Sequence, residues 1–209
     1  MTTAIFGGTF DPVHVGHLVM ADEVLARLQY GQIRFIPARI SPHKRGEPAA
    51  TAEDRLAMLR LATAGRDEFV VDPYEIEQEG PSYTVQTLRH LQESGIVTGK
   101  PGLIIGEDLV SRFDSWREAH EIERLADLIL VRRPAQDGRH RPPRFDRVHR
   151  SIDNVMLAVS ATEIRRRVPE GLPFRYLVTP EVYRYIRERK LYRSVPAGDV
   201  SSVSGVNDA

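Results

Sequence analysis

The string Gly7-Gly8-Thr9-Phe10-Asp11-Pro12-Val13-His14-Val15-Gly16-His17-Leu18 gathers two glycines, an Asp-Pro turn and two imidazoles in one short stretch. It follows an apolar run, Ala4-Ile5-Phe6, and opens an amphipathic helix. Glycines let a backbone turn sharply off a strand and approach a ligand closely. Asp11-Pro12 stiffens that turn. At a helix start the unpaired N–H groups and the positive dipole end favour an anion. Two histidines flanking Gly16 there point to phosphate handling. As bare spacing, His-x-x-His also fits a metal pair or two polar residues capping a helix. The metal reading has no thiolate and no obvious third ligand nearby to complete it.

A second string, Val159-Ser160-Ala161-Thr162-Glu163-Ile164-Arg165, has the same design. Ser160 with Glu163 three residues on predicts a capping box. A cap alone leaves Thr162 and Arg165 unaccounted for. Two hydroxyls at a helix start, with a planar guanidinium able to reach back, suit phosphate. Arg165-Arg166-Arg167 also reads as an exposed charged face. Four smaller features could carry chemistry. Lys44 lies in Ser41-Pro42-His43-Lys44, which by itself is a solvated loop. Thr84, after Pro81-Ser82-Tyr83, is a helix cap or a first-turn residue. Asp108 follows the apolar Ile105-Gly106, a place where an acid commonly meets a ribose. Trp116 is the single tryptophan, set in Asp114-Ser115-Trp116-Arg117-Glu118. A lone tryptophan is commonly a core residue, but these polar neighbours do not look like core.

The elements that must position these residues alternate between strand and helix patterns. Thr3–Phe6 predicts a first strand. Leu18, Ala21, Leu25 and Leu28 recur at helical spacing. Ile33–Pro37 reads as a second strand. Leu56, Leu59 and Ala62 mark a second helix that stops at Gly65. Phe69-Val70-Val71 is a third strand, which Tyr74-Glu75-Ile76-Glu77 extends or hairpins from. Thr84–Leu91 is helical. Leu103–Gly106, Leu128–Val131 and Val155–Val159 complete six strands. The almost uniformly apolar fourth strand predicts burial on both faces. This rhythm predicts a doubly wound parallel sheet with right-handed crossovers, and ligands at the carboxyl ends of its strands. The arginine- and proline-rich stretch 132–150 reads as a solvated loop. Residues 194–209, small and polar without periodicity, read as a flexible tail after a single domain over 1–193.

The whole chain, 209 residues with 41% hydrophobic and 28% charged residues, has the make-up of a soluble globule. A formal net charge of zero argues against a nucleic-acid or anionic-membrane partner. The absence of cysteine rules out disulfides and thiolate metal sites. No basic leader precedes the first strand and no apolar run approaches the ~20 residues of a membrane helix. A cytoplasmic enzyme is expected.

The opening string resembles the signature of the nucleotidyltransferase superfamily, in which His-x-Gly-His follows the first strand of a Rossmann-like sheet. Its longer form resembles the nicotinate-mononucleotide adenylyltransferase branch. The second string is similar to the superfamily's Ile-Ser-x-Thr-x-x-Arg, with Val159 in place of Ile. The resemblance runs from about Ala4 to Arg193 through five segments in order. It implies an α/β fold of the nucleotidyltransferase type and adenylyl transfer from ATP to nicotinate mononucleotide, releasing pyrophosphate. By the same resemblance Gly7, Gly8, Thr9, Phe10, His14, His17, Lys44, Ser160, Thr162 and Arg165 bind ATP, with His14, His17 and Arg165 catalytic. Thr84, Asp108, Trp116 and Arg117 take the mononucleotide. In that branch the threonine backbone meets the carboxylate and the tryptophan stacks on the pyridine ring. Two departures stand out: Ser41 replaces the first proline of a Pro-Pro-His-Lys loop, and Arg117 stands where many relatives carry tyrosine. Magnesium is expected on the ATP phosphates, with no protein metal site, and a homo-oligomer is compatible with the sequence. The alternatives are a pantetheine-phosphate adenylyltransferase, which typically has threonine at the first histidine and lacks the tryptophan element, and a non-catalytic nucleotide sensor. A hydride-transferring enzyme is disfavoured, since no Gly-x-Gly-x-x-Gly follows the first strand.

Overall fold

A computed structural model describes residues 2–42, 46–132, 150–153 and 158–193. Six strands form one sheet in the order β3-β2-β1-β4-β5-β6. They are β1 (Thr3–Gly8), β2 (Gln32–Pro37), β3 (Phe69–Val71), β4 (Gly102–Gly106), β5 (Asp127–Arg132) and β6 (Arg150–Asp153). Every pairing is parallel. The helices between them are α1 (Val15–Leu28), α2 (Ala52–Thr63), α3 (Tyr74–Glu77), α4 (Thr84–Glu93), α5 (Glu107–Val110), α6 (Ala119–Leu125), α7 (Ala161–Arg167) and α8 (Pro180–Glu188). A 3-10 turn spans Phe113–Ser115.

Strand side chains alternate between two cores, as the pleat requires. Ala4, Phe6, Ile33, Phe35, Ile104, Ile129 and Val131 pack on one face against Ala21 and Val24 of α1, Met58 and Leu59 of α2, and Val182 and Ile186 of α8. Ile5, Ile36, Leu103, Ile105, Leu128 and Leu130 face Val85, Leu88 and Leu91 of α4 and Ile122 of α6. Both faces of the central strands are thus covered, which is why they read as unbroken apolar runs. Each fully buried side chain such as Phe35 or Leu88 contributes about 1.5–3 kcal/mol relative to exposure.

Chain order reverses between β1 and β4. In open parallel sheets the crevice at such a reversal, at the carboxyl ends of the strands, receives the ligand. β1 ends at Gly8 and β4 at Gly106, so the opening histidine string and Asp108 leave the sheet on either side of that crevice.

Two elements differ from expectation. Tyr74–Glu77 neither extends β3 nor hairpins from it, but forms the single-turn helix α3. Pro73 cannot donate to a ladder, and Asp72 Oδ1 accepts the Tyr74 N–H at 3.0 Å, starting a turn. The last strand is Arg150–Asp153, not Val155–Val159. There Ile152 is buried while Arg150 and Ser151 are exposed, as befits the outermost strand of the sheet. Residues 154–157 of the expected strand lie outside the described residues, and Ala158 and Val159 are not in a strand. The expected loop over 132–150 begins in β5 and ends in β6; its interior and the expected tail at 194–209 lie outside the described residues. Among the described residues no helix is long and apolar enough to cross a membrane.

Candidate active site

The turn after β1 is made by residues other than its glycines. Phe10 takes a left-handed φ of 48°, and the Asp11–Pro12 bond is cis. Gly7 and Gly8 are ordinary strand residues. Gly8 is required for a different reason: a Cβ there would sit 3.0 Å from the buried Phe10 ring. Nothing lies within 4 Å of a Cβ placed on Gly7, so that backbone faces open space.

His14 is the N-cap of α1, extended at φ −141°. His17 Nδ1 accepts the His14 N–H at 3.2 Å. A ring nitrogen that accepts carries no proton, so this bond leaves the proton of a neutral imidazole on Nε2. The two rings stack with centroids 3.7 Å apart. His17 is backed edge-on by Phe10, at 5.0 Å, and by Phe6, at 6.0 Å. These contacts fix the imidazole planes before any ligand arrives. The free-amide reading of this helix start needs amending. The Val15 N–H donates to Leu177 O at 3.0 Å and the His17 N–H to His14 O at 2.9 Å. The imidazoles therefore supply donors that these two amides do not.

At α7, Ser160 is the N-cap and its Oγ accepts the Glu163 N–H at 3.1 Å. The other half of the expected capping box is not made. The Glu163 carboxylate turns instead to Arg166, at 2.9 and 3.0 Å, and Arg167, at 2.7 Å. Hydrogen bonds from Arg166 and then Arg167 hold its carboxyl down at about 2. Arg166 also meets Glu170. Two of the three consecutive arginines are thereby matched by acids on their own helix. Arg165 points the other way: Nη1 donates to Asp11 O at 2.7 Å and Nη2 to Thr162 Oγ1 at 3.3 Å. Its nearest acidic oxygen, Asp11 Oδ2, is 3.9 Å away. The second string thus reaches the first. Gly16 marks the same junction, because a Cβ on it would come within 2.9 Å of Val159 Cγ1 and 3.1 Å of His14 Nδ1.

Sequence reasoning missed the residues that hold this junction. Asp11 is buried; its carboxylate accepts the Ala49 N–H at 2.8 Å, the Ala50 N–H at 3.1 Å and the Tyr192 hydroxyl at 2.9 Å. Burial, and then the Asp11 charge, push the Tyr192 hydroxyl up. Arg55, only 1% exposed, donates to Thr9 O at 2.8 Å, Ala38 O at 2.6 Å and Arg39 O at 3.1 Å. It ties the exits of β1 and β2 together. Burial lowers its guanidinium pKa and the Asp11 charge opposes that. The Asp-Pro dipeptide was a visible signal for Asp11. Arg55, in the charged first turn of α2, gave none.

The other half of the site lies across β4. Asp108 falls in α5, immediately beyond the carboxyl end of β4. Thr84 is the first residue of α4, whose cap is Tyr83 and has no side-chain cap bond. Arg117 stacks its guanidinium 4.7 Å over the Tyr83 ring, which brings residues 116–117 to the start of α4. Trp116 departs from expectation. It is 9% exposed and belongs to the second core, with its ring 5.4 Å from Phe113. The polar neighbours in sequence are exposed because this stretch turns, sending every third residue inward at Phe113, Trp116 and Ala119. Lys44 lies outside the described residues. Among the described residues no group of three or more His, Asp or Glu could hold a metal ion.

Comparison with known proteins agrees with this geometry. Residues 5–167 match the cytidylyltransferase-like family. A probable nicotinate-nucleotide adenylyltransferase of Geobacillus thermodenitrificans is 43% identical over 188 residues, covering 90% of this chain and 84% of that protein. One from Treponema pallidum is 37% identical over 204 residues, covering 93% and 100%. The solved Plasmodium falciparum nicotinic acid mononucleotide adenylyltransferase complexed with NaAD superposes with a TM-score of 0.72 at 17% identity, covering 91% of this chain and 97% of that one. The chain therefore belongs to the cytidylyltransferase-like family and, within it, to the nicotinate-nucleotide adenylyltransferases.

Proposed function

We propose that the paired helix starts bind ATP and that the chain transfers its adenylyl group to nicotinate mononucleotide, giving nicotinate adenine dinucleotide and pyrophosphate. The observation that carries this reading is the meeting of Arg165 with Asp11 beside the stacked His14 and His17, at the carboxyl end of β1. The mononucleotide phosphate oxygen attacks the α-phosphorus of ATP and the bond to the β-phosphate oxygen breaks, with pyrophosphate as the leaving anion. The nucleophile is already ionised, so no general base is required. Catalysis is then positioning and stabilisation of charge on the transferring group.

His17 donates from Nε2 to a phosphate oxygen, and its paired tautomer makes it a neutral donor. His14, stacked on it, provides the second imidazole. Arg165, Ser160 and Thr162 receive the departing phosphates, and Lys44 assists from its loop. The open backbone at Gly7 lets the nucleotide lie close, with Gly8, Thr9 and Phe10 completing that wall of the site. The Asp11 carboxylate accepts from two amides and a hydroxyl, which fits a positioning role. Magnesium fits this site as an ion carried by the triphosphate and water, where it would neutralise phosphate charge.

On the acceptor side, Thr84 offers a first-turn N–H and Arg117, over Tyr83, a cation for the pyridine carboxylate. Asp108 takes the ribose. Trp116 would present only the edge or face left open at its margin of the core. An amide acceptor would set an N–H₂ against these donors, a mismatch of about 1–3 kcal/mol. The cytoplasm is the compartment proposed. The deciding assay is pyrophosphate release from ATP with nicotinate mononucleotide, nicotinamide mononucleotide and phosphopantetheine offered in parallel. The acid should be used at least ~tenfold more efficiently than the amide. Turnover with phosphopantetheine alone, or with none of the three, would overturn the reading.

A further inference from the structure

Glu75 is an acid 9% exposed, and the chemistry above does not use it. Acids are seldom buried without a cation, yet among the described residues no cation acts on its carboxyl. Its Oε1 accepts the Thr87 hydroxyl at 2.6 Å. Ser82 is a crosspiece. Its Oγ accepts the Arg39 N–H at 2.9 Å, and its own N–H donates to Ile40 O at 2.9 Å. Arg39 Nη1 donates to Ile76 O at 2.7 Å, beside Glu75. Glu75, Ser82 and Thr87 all line one cleft of about 480 Å³. The first turn of α4 is therefore held through Thr87 by Glu75, and the turn that leads into Thr84 is held through Ser82 by the strand exit that Arg55 also holds.

We propose that Glu75 is a positioning residue for the acceptor subsite: through Thr87 it fixes the first turn of α4, while Arg39 holds Ser82 just ahead of it, and together they aim the first N–H groups of α4. This rests on the reading that the start of α4 binds the pyridine carboxylate. Ser82 lies two residues before Thr84 and Thr87 one turn after it, so the two hydroxyls bracket the presented backbone. Burial pushes the Glu75 carboxyl upward, opposed by the Thr87 hydrogen bond. A carboxyl in that setting is costly to keep for stability alone.

The test is steady-state kinetics of the full chain with ATP and nicotinate mononucleotide. Glu75→Ala should raise the Michaelis constant for the mononucleotide about tenfold, leaving kcat and the ATP constant within about twofold. Ser82→Ala should move the same constant in the same direction by a smaller factor. Glu75→Gln, which keeps the shape and the acceptor for Thr87, should restore the constant to within about twofold of wild type. If Glu75→Ala does not fold, Ser82→Ala decides. An unchanged mononucleotide constant in the folded variants, or kcat and both Michaelis constants shifting together, would overturn the proposal. A wild-type chain that does not use the mononucleotide would instead overturn the functional reading beneath it.

Discussion

The starts of α1 and α7 are built alike and used differently. Both caps are extended with φ at −141°. At α1 the cap is an imidazole, and the second imidazole accepts a backbone N–H and lies against phenylalanine rings. At α7 the cap is an exposed serine, and the helix carries three arginines in succession. One end is buried and offers donors held in place by aromatic packing. The other is exposed and offers a full positive charge. A transferring phosphoryl group needs both: donors aimed where charge develops, and a cation that can follow a leaving group. The difference teaches that the buried start relies on imidazoles held in place by packing, while the guanidinium that reaches it, Arg165, is carried in from the exposed helix start.

That contrast can be broken from the α1 side first. His17→Ala removes a donor aimed at the reacting phosphate and should lower kcat by ~10² or more, with the fold retained. Circular dichroism together with single-turnover rates would check it, and near-normal turnover would refute the assigned role. On the α7 side, Arg165→Lys should cost roughly tenfold in kcat/KM, because an ammonium cannot hold Asp11 O and a phosphate in one plane. Arg167→Lys, whose charge already faces Glu163, should be silent. Equal kinetics for the two would make the run a solvated face and erase the distinction. The junction itself is probed by Gly16→Ala. The added methyl meets Val159 and His14, so stability should fall by about 1–3 kcal/mol. Denaturant midpoints would measure that loss. A neutral Gly16→Ala would mean that the two elements are not in fixed contact.

The sheet and the starts of α1 and α7 were legible because continuous apolar runs and helix-capping strings are local signals. What escaped was either long-range or dual in meaning. Val155–Val159 is more apolar than Arg150–Asp153, yet the latter pairs with β5, since an edge strand needs only one buried side chain. Pro73 and Asp72 turned an expected strand into α3 through a bond between neighbours that alternation alone does not reveal. Trp116 looked exposed because its neighbours are polar, although a three-residue inward period was present in Phe113, Trp116 and Ala119. Arg55 and Glu75 carry no local signal of burial. Their burial follows from carbonyls and hydroxyls supplied by distant segments.

The bond from Tyr192 to Asp11 joins positions 181 residues apart, and that from Arg165 to Asp11 spans 154. A chain made from its amino end exposes the histidine string early and these two partners late. Contacts so distant in sequence close only after the intervening chain is ordered. The Asp11 junction is therefore a late product of assembly: a nascent or prematurely ended chain holds the histidines but not the distant partners of Asp11. Closure of that junction and completion of the fold are, in this molecule, reported by the same two hydrogen bonds.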